Sequence, residues 1–294
     1  MTNEKYKLSD SEHQRILDYL TQIMLKKGKT VGTPNIIILG GQPASGKSRL
    51  GQFVMSTFLN GTAVSINGDD YRSAHPHFKE IIRDDEINMA AYTDPDVRLW
   101  VPKLLEKAVE HRFDIVFEST LRNRYPISTT ITDIKNTGYN VSIAVTACPG
   151  YSSRIGIIER YEGQKQIKGH GRWTNIANHD EAYRKLPVTL RHLENNIAID
   201  RLIVCDRKCN IIYLNERDKN GVYTVPDKRN DAAFALEKER NISITKELKE
   251  EIEQRKRAVL QKMADRDASR KEIILVKEIF RRVLDIQKIN TLSR

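Results

Sequence analysis

The sequence has few cysteines, and they are not arranged as a disulfide framework or a metal site. Cys148, Cys205 and Cys209 are an odd number of cysteines in a chain of 294 residues. Cys205 and Cys209 lack the second pair of cysteines or histidines that would complete a zinc site, and the histidines show no metal-ligand spacing. We therefore expect reduced thiols and no structural metal.

Long hydrophobic runs are also missing. No apolar stretch approaches the ~20 residues that span a bilayer. The first residues, "MTNEKYKLSDSEHQ", lack the apolar segment of a secretory signal. These absences predict a soluble, cytoplasmic protein that has no membrane partner.

The charge is shifted towards lysine and arginine, with a formal net charge of +10 at pH 7. This balance suits an anionic partner such as a nucleotide, a nucleic acid or an acidic protein. However, 30% of the residues are charged with both signs interspersed, and only 7% are aromatic. Because surfaces that stack on bases combine basic and aromatic residues, the sequence does not favour a nucleic acid as the ligand.

Segments with strand and helix periodicity alternate along most of the chain. Residues 8–28 carry an apolar stripe at helical spacing, and short apolar strands recur between helical stretches from residue 36 to residue 205. This alternation predicts an α/β fold with a mostly parallel sheet flanked by helices. Residues 210–225, with the turn "NERDKNG", are interpreted as a small antiparallel hairpin at the edge of the sheet.

The composition changes after residue 226. From about residue 231 onward there is almost no glycine or proline, and charges surround sparse apolar residues at helical spacing. We expect two or more helices that pack against the rest of the chain or against a second copy. The predicted division is an N-terminal helical segment (1–34), a central α/β domain (35–226) and a charged C-terminal helical extension (227–294).

The motif with the most specific chemistry is a phosphate-binding loop. The segment "GQPASGKS" fits the pattern G-x-x-x-x-G-K-[ST], and it lies between an apolar strand and a helix. Lys47 would reach the β- and γ-phosphates, and the Ser48 hydroxyl would coordinate Mg²⁺. The predicted nucleotide-binding residues are Gly41, Gln42, Pro43, Ala44, Ser45, Gly46, Lys47 and Ser48.

Carboxylates at the ends of two other strands indicate where a phosphoryl acceptor would bind. The strand "AVSIN" runs into Asp69 and Asp70, and the strand "FDIVFE" ends at Glu118, shortly before Thr120 and Arg122. Ligands collect at the carboxyl ends of parallel strands, so these carboxylates could orient or deprotonate a hydroxyl. Arg122 could neutralise a substrate phosphate. Asp70, more readily than Asp69, could instead only cap the next helix.

Two arginines are candidates for contact with the transferring phosphoryl group. Arg160 lies on a predicted helix, and Arg172 lies in the Gly-rich segment "GQKQIKGHGRWTN", which we interpret as a flexible loop. An arginine on such a loop suits a phosphoryl-transfer lid, because negative charge spreads over the phosphoryl oxygens in the transition state. Alone, each arginine would more often be a surface ion-pair partner, but the phosphate loop favours the catalytic interpretation.

Taken in order, these segments resemble the zeta toxin family, which are P-loop kinases of bacterial toxin–antitoxin systems. The resemblance covers residues 35–213 and rests on "LGGQPASGKS", "NGDDYRSAHPHF", "VFESTLR", "IERYE", "GRWTN", "ANHD" and "IYLN". It implies a bacterial kinase that uses ATP or GTP with Mg²⁺ and phosphorylates the 3′-hydroxyl of the amino sugar in UDP-N-acetylglucosamine, which inhibits peptidoglycan synthesis. It also implies a small helical antitoxin that obstructs the nucleotide site.

The resemblance also assigns roles to individual residues. Asp69 would be the general base that draws the proton from the acceptor hydroxyl. The residues that match the acceptor-site motif are Glu118, Thr120 and Arg122. The residues that match the arginines in contact with the transferring phosphate are Arg160 and Arg172.

Two positions depart from the family pattern. Ala44 stands where family members often carry glycine, and we expect the loop to avoid a positive φ there. Pro102 occupies the position of an acceptor-binding glutamate, for which Asp94, Asp96 or Glu106 could substitute unless the acceptor differs.

Two other classes of protein share much of this pattern. Another P-loop kinase, acting on a small molecule or a polynucleotide end, would use nearly the same residues. A non-catalytic protein could instead use nucleotide binding to gate an interaction through its C-terminal helices. Either terminal segment, residues 8–28 or about 231–294, could also inhibit a kinase in cis.

Overall fold

The computed structural model describes residues 3–59, 61–225 and 228–285. Six strands form one sheet in these ranges: β1 (Asn35–Gly40), β2 (Val64–Ile66), β3 (Ile115–Glu118), β4 (Asn140–Thr146), β5 (Arg201–Cys205) and β6 (Ile211–Glu216). Their order across the sheet is β2-β3-β1-β4-β5-β6. The first five strands are parallel and β6 is antiparallel to β5. The predicted α/β fold with a mostly parallel sheet is confirmed.

Helices surround this sheet and account for most of the remaining chain. Within the described ranges they are α1 (Asp10–Lys27), α2 (Lys47–Phe58), α3 (Gly68–Tyr71), α4 (Phe78–Asp85), α5 (Met89–Glu110), α6 (Arg124–Asn136), α7 (Gly150–Lys168), α8 (Ile176–Asn196), α9 (Ala232–Arg240), α10 (Lys246–Asp265) and α11 (Arg270–Arg281). Not one of the described helices is both long enough and apolar enough to cross a membrane.

The central strand β1 is buried on both faces of the sheet, which explains its run of apolar residues. Ile36 and Ile38 face one side of the sheet and join the largest hydrophobic cluster. Ile37 and Leu39 face the other side and pack with Leu50 of α2 in a second cluster. Because helices cover both faces of the sheet, a polar side chain at any position from Ile36 to Leu39 would be buried without a ready hydrogen-bond partner.

The N-terminal helix α1 is part of the main core. Ser9 caps it with a capping box, in which the Ser9 hydroxyl accepts from the Glu12 N–H and the Glu12 carboxylate accepts from the Ser9 N–H. Leu17 and Leu20 are buried in the main cluster, and the Trp100 indole N–H donates to the His13 carbonyl at 3.3 Å. The helix predicted over residues 8–28 is therefore confirmed.

The C-terminal helices also pack against the rest of the chain. Helix α9 contributes Ala233 and Leu236 to the main cluster, while α10 and α11 form a separate cluster on the Ile155–Ile158 face of α7. The helices expected after residue 231 are therefore confirmed, and so is their packing against the rest of the chain. The division into three segments at residues 34 and 226 stays a prediction.

The predicted hairpin over residues 210–225 is present only as a short antiparallel turn at the edge of the sheet. Arg217 and Tyr223 form an isolated antiparallel bridge, and the Thr224 N–H donates to the Glu216 carbonyl at 2.9 Å. The extended pairing of β6 is with β5 on its other side. This pairing extends a larger sheet, whereas an isolated two-stranded hairpin is marginal in water.

Candidate active site

The loop between β1 and α2 has the strand–loop–helix context that phosphate binding requires. Gly41 and Gly46 adopt φ values of 152° and 107°, which L side chains rarely adopt, and a Cβ on Gly41 would lie 2.5 Å from the Ser45 hydroxyl oxygen. Gly46 is the N-cap of α2 and has no side chain to accept from the first N–H groups of the helix. Those N–H groups and the helix dipole suit phosphate oxygens.

The expectation that Ala44 avoids a positive φ is wrong. Ala44 has a φ of 58°, in the left-handed region, between the two glycines of the loop. The closure of the loop onto α2 sets this angle, and the local preference of alanine is overridden. A left-handed conformation brings the Cβ of an L-residue too close to the following carbonyl oxygen, which costs on the order of 1 kcal/mol.

We expect Ala44→Gly to raise the free energy of unfolding by roughly 1 kcal/mol, because glycine has no Cβ to strain at this φ. Urea unfolding of the nucleotide-free protein measures the change. The matched control is Ala91→Gly on the exposed face of α5, where the same substitution should lower the free energy of unfolding by about 1 kcal/mol. Equal destabilisation by both substitutions would show that Ala44 is not strained.

Lys47 is buried at the start of α2 and folds back over the loop. Its ammonium donates to the Gly41 carbonyl at 2.9 Å and to the Gln42 carbonyl at 3.2 Å, and lies 3.6 Å from a Glu118 carboxylate oxygen. Burial lowers the pKa of Lys47, and the nearby positive charges of Arg160 and Arg172 lower it further. The lysine is thus a desolvated cation among other cations.

 

One cavity is lined by the second half of the phosphate loop and by one of the two predicted phosphate-contacting arginines. Its volume is about 230 Å³. The residues that line it are Ala44, Gly46, Lys47, Ser48, Glu118, Gly156, Arg160 and Arg207. The loop, the end of β3 and the middle of α7 therefore meet at one place, at the carboxyl ends of the central strands.

Arg160 and Arg172 lie close to Lys47 and are incompletely hydrogen-bonded within the described residues. Arg160 donates to the Thr174 hydroxyl at 2.7 Å. The Nε atoms of both arginines are buried and have no hydrogen-bond partner in the described part of the chain. Burial lowers the pKa of both, that of Arg172 to about 10. Three crowded cations with unused donors are suited to an anion of high charge, such as a polyphosphate.

Asp69 faces these cations from the second residue of α3. The Asn67 side chain caps this short helix by accepting from the Asp69 N–H at 3.0 Å. One carboxylate oxygen of Asp69 is ion-paired with Arg172, and the other accepts from Arg72 Nε at 3.1 Å. Arg72 also donates to Asp94 at 3.1 Å. The carboxylate is thus held in a fixed position beside the arginines.

The segment predicted as a flexible loop around Arg172 is only partly a loop. Helix α7 continues to Lys168, so residues 163–168 are helical and the prediction is wrong for them. The remaining loop is tied down, since the Gly171 N–H donates to Glu86 and the Arg172 N–H donates to Gln164 at 2.7 Å. Glu86 in turn pairs with Lys165 at 2.6 Å.

Comparisons with known proteins identify the family. The model of the zeta toxin family matches residues 21–218. The chain belongs to the zeta toxin family. It is 28% identical over 230 residues to toxin PezT of Streptococcus pneumoniae serotype 4, covering 78% of this chain and 87% of that toxin. It is 29% identical over 180 residues to toxin zeta of Enterococcus hirae, covering 61% of this chain and 62% of that toxin, less than two thirds of its length.

Solved structures show the same fold. A structure of the PezAT chromosomal toxin–antitoxin system of Streptococcus pneumoniae has a TM-score of 0.73 at 24% identity and covers 89% of this chain and 100% of that one. The structure of AvrRxo1-ORF1:-ORF2 with ATP has a TM-score of 0.56 at 14% identity, and the match covers 93% of this chain and 84% of that chain. The predicted family and P-loop kinase fold are confirmed.

The acceptor-side residues of this zeta toxin family member are not all in one place. Glu118 lines the nucleotide cavity beside Lys47. Leu121 turns the chain with a φ of 51°, and Arg122 then lies 3.5 Å from Glu181 of α8, in a second groove with Lys185. The structure therefore separates Arg122 from Glu118, and the acceptor role of Glu118, Thr120 and Arg122 stays a prediction.

The substitutes considered for Pro102 also differ in position. Pro102 is exposed within α5. Asp94 shares Arg72 with Asp69, whereas Asp96 lies 3.3 Å from His75 and Glu106 is exposed on α5. Of the three carboxylates, Asp94 is the one joined to the Asp69 side of this family member's site.

Two arginines of this zeta toxin family member were missed from the sequence. Arg72 holds Asp69, and it lies within the quoted segment "NGDDYRSAHPHF". Arg207 follows β5, donates to the Ser152 hydroxyl and lines the nucleotide cavity. The rule that ligands collect after parallel strands could have indicated Arg207, since β5 ends at Cys205.

Proposed function

We propose that this protein is a kinase that transfers the γ-phosphoryl group of ATP or GTP to a hydroxyl of a small molecule. The observation that carries the proposal is that Lys47 and Arg160 line one cavity at the phosphate loop, while Arg172 lies close to Lys47 and is paired with Asp69. A fixed cluster of cations stabilises the charge of a transferring phosphoryl group, and a neighbouring carboxylate can take the proton of the acceptor.

The donor would bind with its phosphates on the loop. Lys47 would exchange its contacts with the loop carbonyls for phosphate oxygens, and the unused Nε groups of Arg160 and Arg172 would donate to the same anion. Ser48 and Glu118 line this cavity and offer the oxygen ligands that Mg²⁺ prefers. Bound there, Mg²⁺ would neutralise charge on the phosphates.

The acceptor would bind on the Asp69 side. Its hydroxyl oxygen would attack the γ-phosphorus, the bond from phosphorus to the bridging oxygen would break, and the nucleoside diphosphate would leave with that electron pair. Asp69 would take the hydroxyl proton. Arg172 is paired with Asp69 in the structure, so its transfer to the phosphate would release one oxygen of the base. The donor would thereby prepare the base for the acceptor.

The acceptor that we propose is the 3′-hydroxyl of the amino sugar in UDP-N-acetylglucosamine, and the consequence would be inhibition of peptidoglycan synthesis. Membership of the zeta toxin family supports this choice. Pro102 departs from the family pattern at the acceptor side, and Asp94, which shares Arg72 with Asp69, would replace the missing glutamate. Another small-molecule acceptor is the alternative.

We also propose an antitoxin as a partner of this protein. The similar chains include toxin PezT and a structure of the PezAT toxin–antitoxin system. Inhibition in cis has less support, because the residues that line the nucleotide cavity come from the loop, β3, α7 and the segment after β5, and none comes from the described parts of α1 or α9–α11.

The experiment is mass spectrometry of reactions with ATP or GTP, Mg²⁺ and UDP-N-acetylglucosamine. We expect a product heavier by one phosphoryl group. Transfer to a different compound in a metabolite extract would support the kinase function but contradict UDP-N-acetylglucosamine as the acceptor. Tight ATP binding with no transfer to any metabolite would favour the non-catalytic, nucleotide-gated alternative.

A further inference from the structure

A buried arginine from α9 reaches the phosphate loop. Arg240 is 1% exposed and donates through Nη2 to the Gln42 side-chain oxygen at 2.6 Å. Its Nη1 donates to the Tyr183 carbonyl at 3.0 Å, and its guanidinium lies 4.3 Å from the centre of the Tyr183 ring. Arg240 therefore joins the second residue of the phosphate loop to α8, across 198 residues of sequence.

Gln42 is placed to set the shape of the loop. Its side chain is fully buried, and its amide donates to the Cys148 carbonyl at 2.9 Å and to the Ser153 hydroxyl at 3.1 Å. All of its side-chain contacts are therefore on the inner side of the loop. Its backbone carbonyl accepts from Lys47 at 3.2 Å, so the position of Gln42 also affects the lysine that faces the phosphates.

The hydrogen bonds continue from Ser153 through the interior. Ser153 lies 2.8 Å from His179 Nε2, and His179 Nδ1 lies 2.8 Å from Asp180. This arrangement has the residue types of a hydrolytic triad, but Ser153 and His179 are fully buried, so no substrate can reach them. The arrangement instead fixes the second partner of Gln42.

Burying a guanidinium is energetically unfavourable, so a structural role alone does not account for Arg240. Removing an ion from water carries a large desolvation penalty, and apolar residues of similar volume often stabilise a fold at least as well. The guanidinium offers a rigid fork of donors, which can hold the Gln42 oxygen and the Tyr183 carbonyl at the same time. A hydrophobic residue could fill the space but could not orient Gln42.

We propose that Arg240 is a positioning residue for the phosphate loop, and that α9 completes the nucleotide site by holding Gln42. This inference rests on the proposed use of the cavity for a nucleotide. Arg240 lies beyond the matched residues 21–218 and beyond the predicted domain boundary at residue 226. The C-terminal part of the chain thereby contributes to nucleotide affinity without touching the nucleotide.

The test is calorimetric measurement of ATP affinity in the full-length chain, with urea unfolding of the same samples. We expect Arg240→Gln to raise the Kd for ATP about 10-fold, which corresponds to about 1.4 kcal/mol. Arg240→Lys keeps the charge but not the fork, and we expect a rise of about 3-fold. The matched control is Arg191→Gln, which removes the pairing of α8 with Asp231, the N-cap of α9, and which has no contact with the loop among the described residues. Its Kd should be unchanged.

A folded Arg240→Gln protein with the affinity of the wild type would overturn the inference, even if its unfolding free energy falls. If Arg240→Gln does not fold, the Kd of Arg240→Lys for ATP becomes the test, and an unchanged Kd would again overturn the inference. A wild type that binds no ATP would overturn both this inference and the proposed kinase function. Loss of affinity in the Arg240 variants but not in Arg191→Gln supports the positioning role.

Discussion

Lys47→Met is expected to lower the rate of phosphoryl transfer by about 10³-fold, because it removes a positive charge that meets the transferring phosphoryl group. The same substitution should leave the nucleotide-free protein at least as stable as the wild type. Burial lowers the pKa of Lys47 below its ordinary value of 10.5, so the unfolded chain binds this proton more tightly than the folded chain does. At pH values below 10.5, burying the charged lysine therefore lowers the free energy of unfolding, whereas methionine carries no charge and no such penalty.

Initial rates at saturating nucleotide and thermal unfolding without nucleotide measure the two effects. Lys103→Met, on the exposed side of α5, is the control and should change neither quantity appreciably. A Lys47→Met protein that loses activity because it unfolds at a lower temperature would contradict the account of Lys47 as a desolvated cation held ready for phosphate.

Asp69→Asn is expected to lower kcat by 10²- to 10⁴-fold, roughly the contribution of a general base. Asparagine keeps the shape of the side chain but cannot take the proton. ATP affinity should be preserved or improved, because Arg172 loses its ion pair with Asp69 and becomes free to contact phosphate. Separate measurements of kcat and of the Kd for ATP distinguish this result from a general loss of structure.

The neighbouring Asp70 provides the matched control, since it has the same chemistry and is exposed on the same short helix. Asp70→Asn should retain most of the activity. If instead Asp70→Asn were inactive and Asp69→Asn active, the base would have been assigned to the wrong member of the pair.

The parts of this site that were predictable from sequence are those whose geometry is local. Strand β1, the phosphate loop and α2 follow one another without interruption, and the motif itself contains the glycines that its backbone needs. The carboxylates after β2 and β3 were predictable because parallel strands end at the same edge of a sheet. Burial on both faces of β1 was also visible, as an unbroken apolar run.

The remaining features depend on contacts between distant segments. The pairing of Arg172 with Asp69 spans 103 residues, and that of Arg240 with Gln42 spans 198. Neither pairing leaves a periodic signal in the sequence. The pairing of β6 with β5 was missed because it depends on a strand outside the predicted hairpin. The φ of Ala44 was wrong because closure of the loop outweighs the preference of one residue.

The contact between Arg240 and Gln42 also affects when, during its synthesis, the protein becomes able to bind ATP with full affinity. The ribosome adds Arg240 198 residues after Gln42, which takes roughly 10–40 s at 5–20 residues per second. Throughout that interval the nascent chain carries the whole phosphate-loop motif without the arginine that holds it. A ribosome-bound chain that ends before α9 should therefore bind ATP more weakly than the finished protein.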